Sequence, residues 1–245
     1  MLTDKLKIND SKTEFMIIGT KQQLSKINSC HLTVGEANID PVISARNLGT
    51  WFDSNLNLQE HINKTCRAAY FHIHNIRHIR KFLTKESTET LVHALVIGRI
   101  DYCNSLLYGL PAVHLDKLQR LQNSAARLIS YTPRFHHITP VLYSLHWLPV
   151  KYRIMFKVIM LTFKSLYGTS PDYLKTLISK KEHLKYNLRS GNGVLLQVPS
   201  IRSKKTLGDR SFTMAAPTLW NNLPINLRNE TSFTKFKSLL KTHFF

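Results

Sequence analysis

Acidic residues are the scarce component of this chain. Its 245 residues hold 15 Asp and Glu against 34 Lys and Arg, a formal net charge of +19. Such a field favours a polyanion or an anionic surface as partner. No two aspartates are adjacent in the sequence, so the usual carboxylate platform of two-metal catalysis is missing. The patterns GxxxxGK[ST], GxSxG and HExxH do not occur either, which removes the common signatures of phosphate-loop, serine-hydrolase and zinc-protease chemistry. Cysteine is rare: Cys30, Cys66 and Cys103 lie far apart. An odd number without zinc-finger spacing argues against a disulfide framework and fits a reducing compartment. No apolar run approaches the ~20 residues of a membrane helix, and the first residues carry no signal-peptide pattern. The expectation is a soluble chain of the cytoplasm or nucleus, without a membrane partner.

What is present is unevenly placed. Residues 1–110 hold 13 basic and 10 acidic side chains, whereas residues 111–245 hold 21 and 5. The cationic half also carries scattered rings, among them Tyr131, Phe135, Tyr143, Trp147, Tyr152 and Trp220. Basic groups interleaved with aromatics suit nucleic acid, because phosphates take the charge and bases can stack.

The pattern of residues 1–57 is that of short β-strands. Phe15–Gly19 is an apolar run after the turn-like Asn9-Asp10-Ser11. His31–Val34 and Ala37–Ile39 flank a Gly35 turn, and Val42–Ile43 and Leu48–Phe52 supply a further strand region with Gly49 as a bulge. From Leu58 the period becomes helical. Ile62, Cys66, Ala69, Ile73 and Ile76 form one stripe, and His74 and His78 form an i,i+4 pair without a third metal ligand at a telling distance. Thr84 is placed to cap a second helix running to Tyr108 and stopping at Gly109, with Asp101 expected to pair with Arg99.

The clearest helix is Ala112–Ser130. Leu118, Leu121, Ala125, Leu128 and Ile129 fall on one side; Lys117, Arg120 and Arg127 fall on the other. A short helix Val141–His146 precedes Val150–Tyr167, which is apolar on two faces and leaves only a narrow stripe of Arg153, Lys157 and Lys164. Such a helix belongs in the middle of a bundle. Residues 168–208 are loop-rich, with Lys180, Lys181, Arg202, Lys204 and Lys205 and a β-like run Val194–Val198. Asp209–Asn222 is a helix interrupted by Pro217, and Ser232 caps a last helix, Phe233–His243. The fold class expected is α+β: a short antiparallel β-meander followed by a mostly α-helical bundle.

Several ordered segments resemble one family. Asn9–Gly19 (NDSKTEFMIIG) and Asn47–Asp53 (NLGTWFD) are similar to the final palm strands of reverse transcriptases from LINE-type, jockey-like non-LTR retrotransposons. Asp101–Pro111 (DYCNSLLYGLP), Arg120–Ile129 (RLQNSAARLI), His146–Val150 (HWLPV), Gly208–Phe212, Ala215–Pro217 and Leu219–Pro224 are similar in order and spacing to the thumb and C-terminal region of those proteins.

The resemblance implies a palm remnant over 1–57, a helical thumb-like region over 58–168 and a basic C-terminal region over 169–245. It assigns a primer-grip-like role to Leu48, Gly49, Trp51 and Phe52. Lys12 matches a lysine that follows the family's catalytic strands, but it has no neighbouring carboxylates to act with. The palm aspartates of the family precede this strand and would fall before Met1, so the resemblance implies a fragment of an RNA-directed DNA polymerase that is inactive alone. It implies no metal or other cofactor within the fragment, Mg belonging to the missing catalytic centre. The partners implied are RNA and DNA as template–primer duplex, held by backbone charge, with no small-molecule substrate. Together with the charge pattern, the candidate nucleic-acid contacts are Lys117, Arg120, Arg127, Arg153, Lys157, Lys164, Lys204 and Lys205. The alternative reading is a domesticated or decayed retroelement remnant acting as a structural or interaction protein, or without function.

Overall fold

A Leu-Gly pair forms a two-residue hairpin turn in the N-terminal part of this protein. The computed structural model describes residues 9, 12–27, 30–35, 37–181, 194–200 and 208–245. Within them, strands β1 (Leu32–Val34) and β2 (Ala37–Ile39) pair antiparallel across Gly35, and β3 (Ser44–Asn47) pairs antiparallel with β4 (Thr50–Asp53). Each pair is its own two-stranded sheet. Asn47 faces Thr50, so Leu48 and Gly49 are the whole loop, at φ +45° and +85°. Two consecutive positive φ values are the mark of a type I′ hairpin turn. Gly49 is thus a turn residue, and the expected strand Leu48–Phe52 with a bulge is corrected to a turn followed by β4.

The chain divides into two compact units, Met1–Lys64 and Thr65–Phe245. In the first, Phe15–Gly19 is not a strand; Phe15 makes one isolated parallel bridge to Pro41, with Val42 N–H donating to the Phe15 carbonyl at 2.8 Å. Pro41 has no N–H with which to extend a ladder. A short helix, α1 (Lys21–Leu24), opens on a capping box between Thr20 and Gln23. Helix α2 (Gln59–Ile79) starts where the Asp53 carboxylate accepts the backbone N–H groups of Asn55, Asn57 and Leu58 at 3.2, 3.1 and 2.7 Å. Those N–H groups precede or open a helix and have no intrahelical acceptor.

The second unit is helical. Ala69, Ile73 and Ile76 are buried along α2 as the stripe predicts, and α2 tightens into a 3-10 turn over Arg80–Phe82. Thr84 caps α3 (Lys85–Val92), its hydroxyl accepting the Ser87 N–H at 3.1 Å. The expected single helix to Tyr108 is corrected. A π turn spans His93–Ile97, α4 (Gly98–Asp101) follows, Tyr102 is extended, Cys103 is left-handed, and a 3-10 turn covers Asn104–Leu107. The expected Asp101–Arg99 pair does not form. Residues two apart on a helix point away from each other, and Asp101 instead binds Arg153 at 2.6 Å while Arg99 donates to the Leu95 carbonyl.

Helix α5 covers Ala112–Ser130, α6 Thr139–Ser144 and α7 Val150–Leu166. The two-sided α7 packs against α5, against α9 (Phe212–Asn221) and against α11 (Phe233–Phe244), with α8 (Asp172–Lys175) and α10 (Ile225–Arg228) as short connectors. Its core is aromatic: Phe163 stacks on Phe236 with centroids 4.4 Å apart, and Phe236 on Trp220 at 5.7 Å. Stacked and offset rings add to the area they bury. Pro217 lies inside α9 without ending it; the bond it forgoes is to Thr213, in the helix's first turn. Val194–Val198 contributes one antiparallel bridge, Lys180 to Leu196. Ser232 precedes α11 in extended conformation without a side-chain cap; Glu230 accepts its N–H instead.

Candidate nucleic-acid interface

Helix α5 buries Leu118, Leu121, Ala125, Leu128 and Ile129, the predicted side. Its other side meets the end of α2 in an open groove of about 860 Å³. Arg77, Arg80, Lys81, Arg120, Arg127 and Arg134 line this groove with Tyr70 and Tyr131, and no acidic side chain is among its lining residues.

The six cations divide into two kinds. Arg80 is only 6% exposed. Its guanidinium donates to the carbonyls of Leu128 (3.1 Å), Ile129 (3.1 Å) and Leu83 (2.8 Å). Leu128 and Ile129 lie in the last turn of α5, where carbonyls have no intrahelical donor. Arg80 therefore caps a helix to which it does not belong, and the negative end of the α5 dipole offsets its buried charge. Arg127 is engaged too, donating to the carbonyls of Pro133 and His136. It ties down the loop that presents Arg134. By contrast Arg77, Arg120 and Arg134 are exposed, and their guanidinium groups make no hydrogen bond or ion pair among the described residues. Lys81 is exposed beside the Phe82 ring, at 4.8 Å.

The remaining expected contacts fall elsewhere. Arg153 is 13% exposed at its side chain; it donates to Asp101 at 2.6 Å and to the Leu148 carbonyl at 2.8 Å, so it holds α7 to the end of α4. Lys157 lines a second cavity of about 420 Å³ with Lys237, Lys241, His93, His146 and the Asp101–Arg153 pair. Lys164 sits 5.2 Å from the Phe233 ring. Lys117 is half-buried, and its charge opposes the burial that raises the Cys66 thiol. Lys204, Lys205 and Arg202 lie outside the described residues. Of the basic residues picked from sequence, the structure brings together two pairs among those described: Arg120 and Arg127 in the groove, and Arg153 and Lys157 in the second cavity.

Leu48, Gly49, Trp51 and Phe52, for which the resemblance implies a primer-grip-like role, are grouped by the β3–β4 hairpin. Leu48 is 85% exposed at the tip, and Trp51 carries the Lys64 ammonium 2.9 Å from its ring centroid. Lys64 also pairs with Glu60 at 2.7 Å, which lowers the exposed Glu60 carboxyl.

Metal-ligating side chains are not gathered anywhere among the described residues in groups of three or more. His74 and His78 touch each other, Nε2 to Nε2 at 2.9 Å, on the exposed side of α2. No helix among the described residues is long and apolar enough to cross a membrane.

Sequence reasoning placed none of Arg77, Lys81 and Arg134 at a site, and named Tyr131 only among the rings of the cationic half. Arg77 and Lys81 are four apart, so one face of α2 was marked as cationic in the sequence. Arg134 is in a loop, and nothing local places it beside α2. Comparisons with family models, curated proteins and solved structures find no match to this chain.

Proposed function

We propose that this chain is C-terminal sequence of a non-LTR retrotransposon reverse transcriptase, and that the groove between α2 and α5 binds RNA and DNA through their phosphate backbones. The ordered sequence segments support the first part. The second rests on one observation: the guanidinium groups of Arg77, Arg120 and Arg134 converge on a groove, and among the described residues they have no partner and no acidic side chain lines it. Guanidinium groups bind phosphate in a bidentate fork, and a site without carboxylates does not compete with the ligand.

Salt dependence tests it. If about four phosphates are neutralised, the log–log salt slope is about −3.6, or roughly 10²-fold weaker binding between about 50 and 200 mM salt. Replacing Arg77, Arg120 and Arg134 with Gln should reduce the magnitude of that slope by about 3 and leave the melting temperature unchanged. Retention on a filter that ignores both salt and these substitutions would refute the reading. A second reading, a remnant with a structural or interaction role, draws support from Arg80, Arg127 and Arg153, whose guanidinium groups are engaged by the protein itself. It predicts that the triple substitution changes no binding at all.

A further inference from the structure

Tyr131 stands where a helix would ordinarily place glycine. It follows the last residue of α5 with φ +53° and ψ +23°, the left-handed conformation that Gly adopts freely and a residue with a Cβ does not. Three interactions hold it there. Its hydroxyl donates to the Arg80 carbonyl at 3.3 Å, its ring lies 4.0 Å from the Arg80 guanidinium carbon, and its Oγ-bearing neighbours Ser130 and Thr132 bond to each other at 2.7 Å. Arg80 is in turn fixed by three carbonyls. The ring is thus positioned before any ligand arrives. One face is backed by a cation, yet the residue is 64% exposed and lines the groove. Tyr70 lines the same groove, and Phe135, next to Arg134 in sequence, is 95% exposed.

We infer that this groove is a site for single-stranded nucleic acid, in which an unpaired base stacks on the open face of Tyr131 while Arg120 and Arg134 take the flanking phosphates. This deepens the proposed backbone binding and rests on it. Bases within a duplex are already covered by their neighbours and offer no face to a ring, whereas every unpaired base does. The fixed Arg80 charge behind the ring adds no cost of ordering on binding, since it is already bound to the protein. Strain tolerated at a left-handed tyrosine, together with an exposed ring and unpaired guanidinium groups, is the arrangement a stacking platform needs.

The experiment uses the full chain and two probes of about a dozen nucleotides: a single-stranded RNA and the duplex of the same sequence, each followed by fluorescence anisotropy. A matching single-stranded DNA reports any demand for the 2′-hydroxyl. The single strand should bind more tightly than the duplex. Tyr131→Leu should weaken the single strand by roughly ten-fold or more and leave the duplex unchanged, while Tyr131→Phe should retain the wild-type preference. Arg120→Gln should weaken both. Equal or tighter duplex binding, or an unchanged single-strand affinity in a folded Tyr131→Leu protein, overturns the inference and leaves the backbone reading standing. Salt-independent or absent binding of both probes overturns both. Should Tyr131→Leu not fold, photo-cross-linking of a 5-bromouridine single strand to the wild-type chain decides: adducts at Tyr131 or Tyr70 support the platform, and adducts only outside the groove refute it.

Discussion

Replacing Arg80 isolates what a buried cation does when its hydrogen-bond acceptors are backbone carbonyls. The side chain gives three hydrogen bonds, two of them to the last turn of α5, and no carboxylate is among its hydrogen-bond partners. Arginine stays charged at any ordinary pH, so the site cannot relieve itself by losing a proton. Arg80→Met keeps most of the length and removes every donor. Each charge-assisted bond contributes about 1.5–3 kcal/mol, while removing a buried charge returns several kcal/mol of desolvation. The α5 dipole and the Tyr131 ring already offset part of that charge. The net expected loss is about 3 kcal/mol. For a unit of this size that lowers the melting temperature by roughly 6–12 °C. Arg80→Lys reaches fewer carbonyls from a point charge and should lose about half as much. Differential scanning calorimetry on the whole chain measures it. A Met variant as stable as wild type would show that desolvation outweighs the cap and would refute the account.

Other outcomes follow from the same geometry. Gly109 has φ +73°, and a Cβ there would stand 2.6 Å from Arg210 Cγ; Gly109→Ala should cost about 2 kcal/mol in urea unfolding, with part of the loss removed by adding Arg210→Ala. Burial pushes the His61 imidazole below its ordinary value. The unfolded chain then takes up a proton near pH 6.5 that the folded one refuses, so this stability is complete above about that pH and declines as pH falls toward the folded value; His61→Gln should flatten the decline in acid urea titrations. Burial also raises the Cys66 thiol, whereas Cys30 is exposed; iodoacetamide at neutral pH should label Cys30 quickly and Cys66 only in denaturant, as read by peptide mass spectrometry. Arg153→Gln should lower the melting temperature by breaking the bond to Asp101, an effect that Arg120→Gln lacks.

Helix α5 was legible to its last residue because an amphipathic period and Pro111 are both local signals. The two-sided pattern of α7 likewise announced its place among other helices. What local pattern does not carry is the destination of a polar group. Arg80 has the look of a surface arginine at a helix end; two of its three acceptors are 48 and 49 residues away. Asp101 and Arg153 are 52 apart, so a near neighbour was the only partner in view. The break after α4 has the same origin, since Asp101 is drawn to Arg153 and Arg210 donates to the Tyr108 carbonyl at 3.2 Å across 102 residues. Of the groove, the α5 arginines were visible, while the α2 wall and the Tyr131 loop depended on how α2 and α5 pack.

Gln122 is wholly buried between α5 and the start of α7. Its amide donates to the Leu148 carbonyl at 2.9 Å, and Gln119 donates to Gln122 Oε1 at 2.9 Å while accepting the Val150 N–H at 2.8 Å. These bonds act as a key for registry. Apolar contacts between two helices tolerate a slide of one turn, about 5.4 Å; the glutamine pair does not, because the slide would strand an N–H and a carbonyl in a dry interface. The helix that carries Arg120 and Arg127 is therefore held to one axial position against α7, and the cationic row it presents cannot drift along the core.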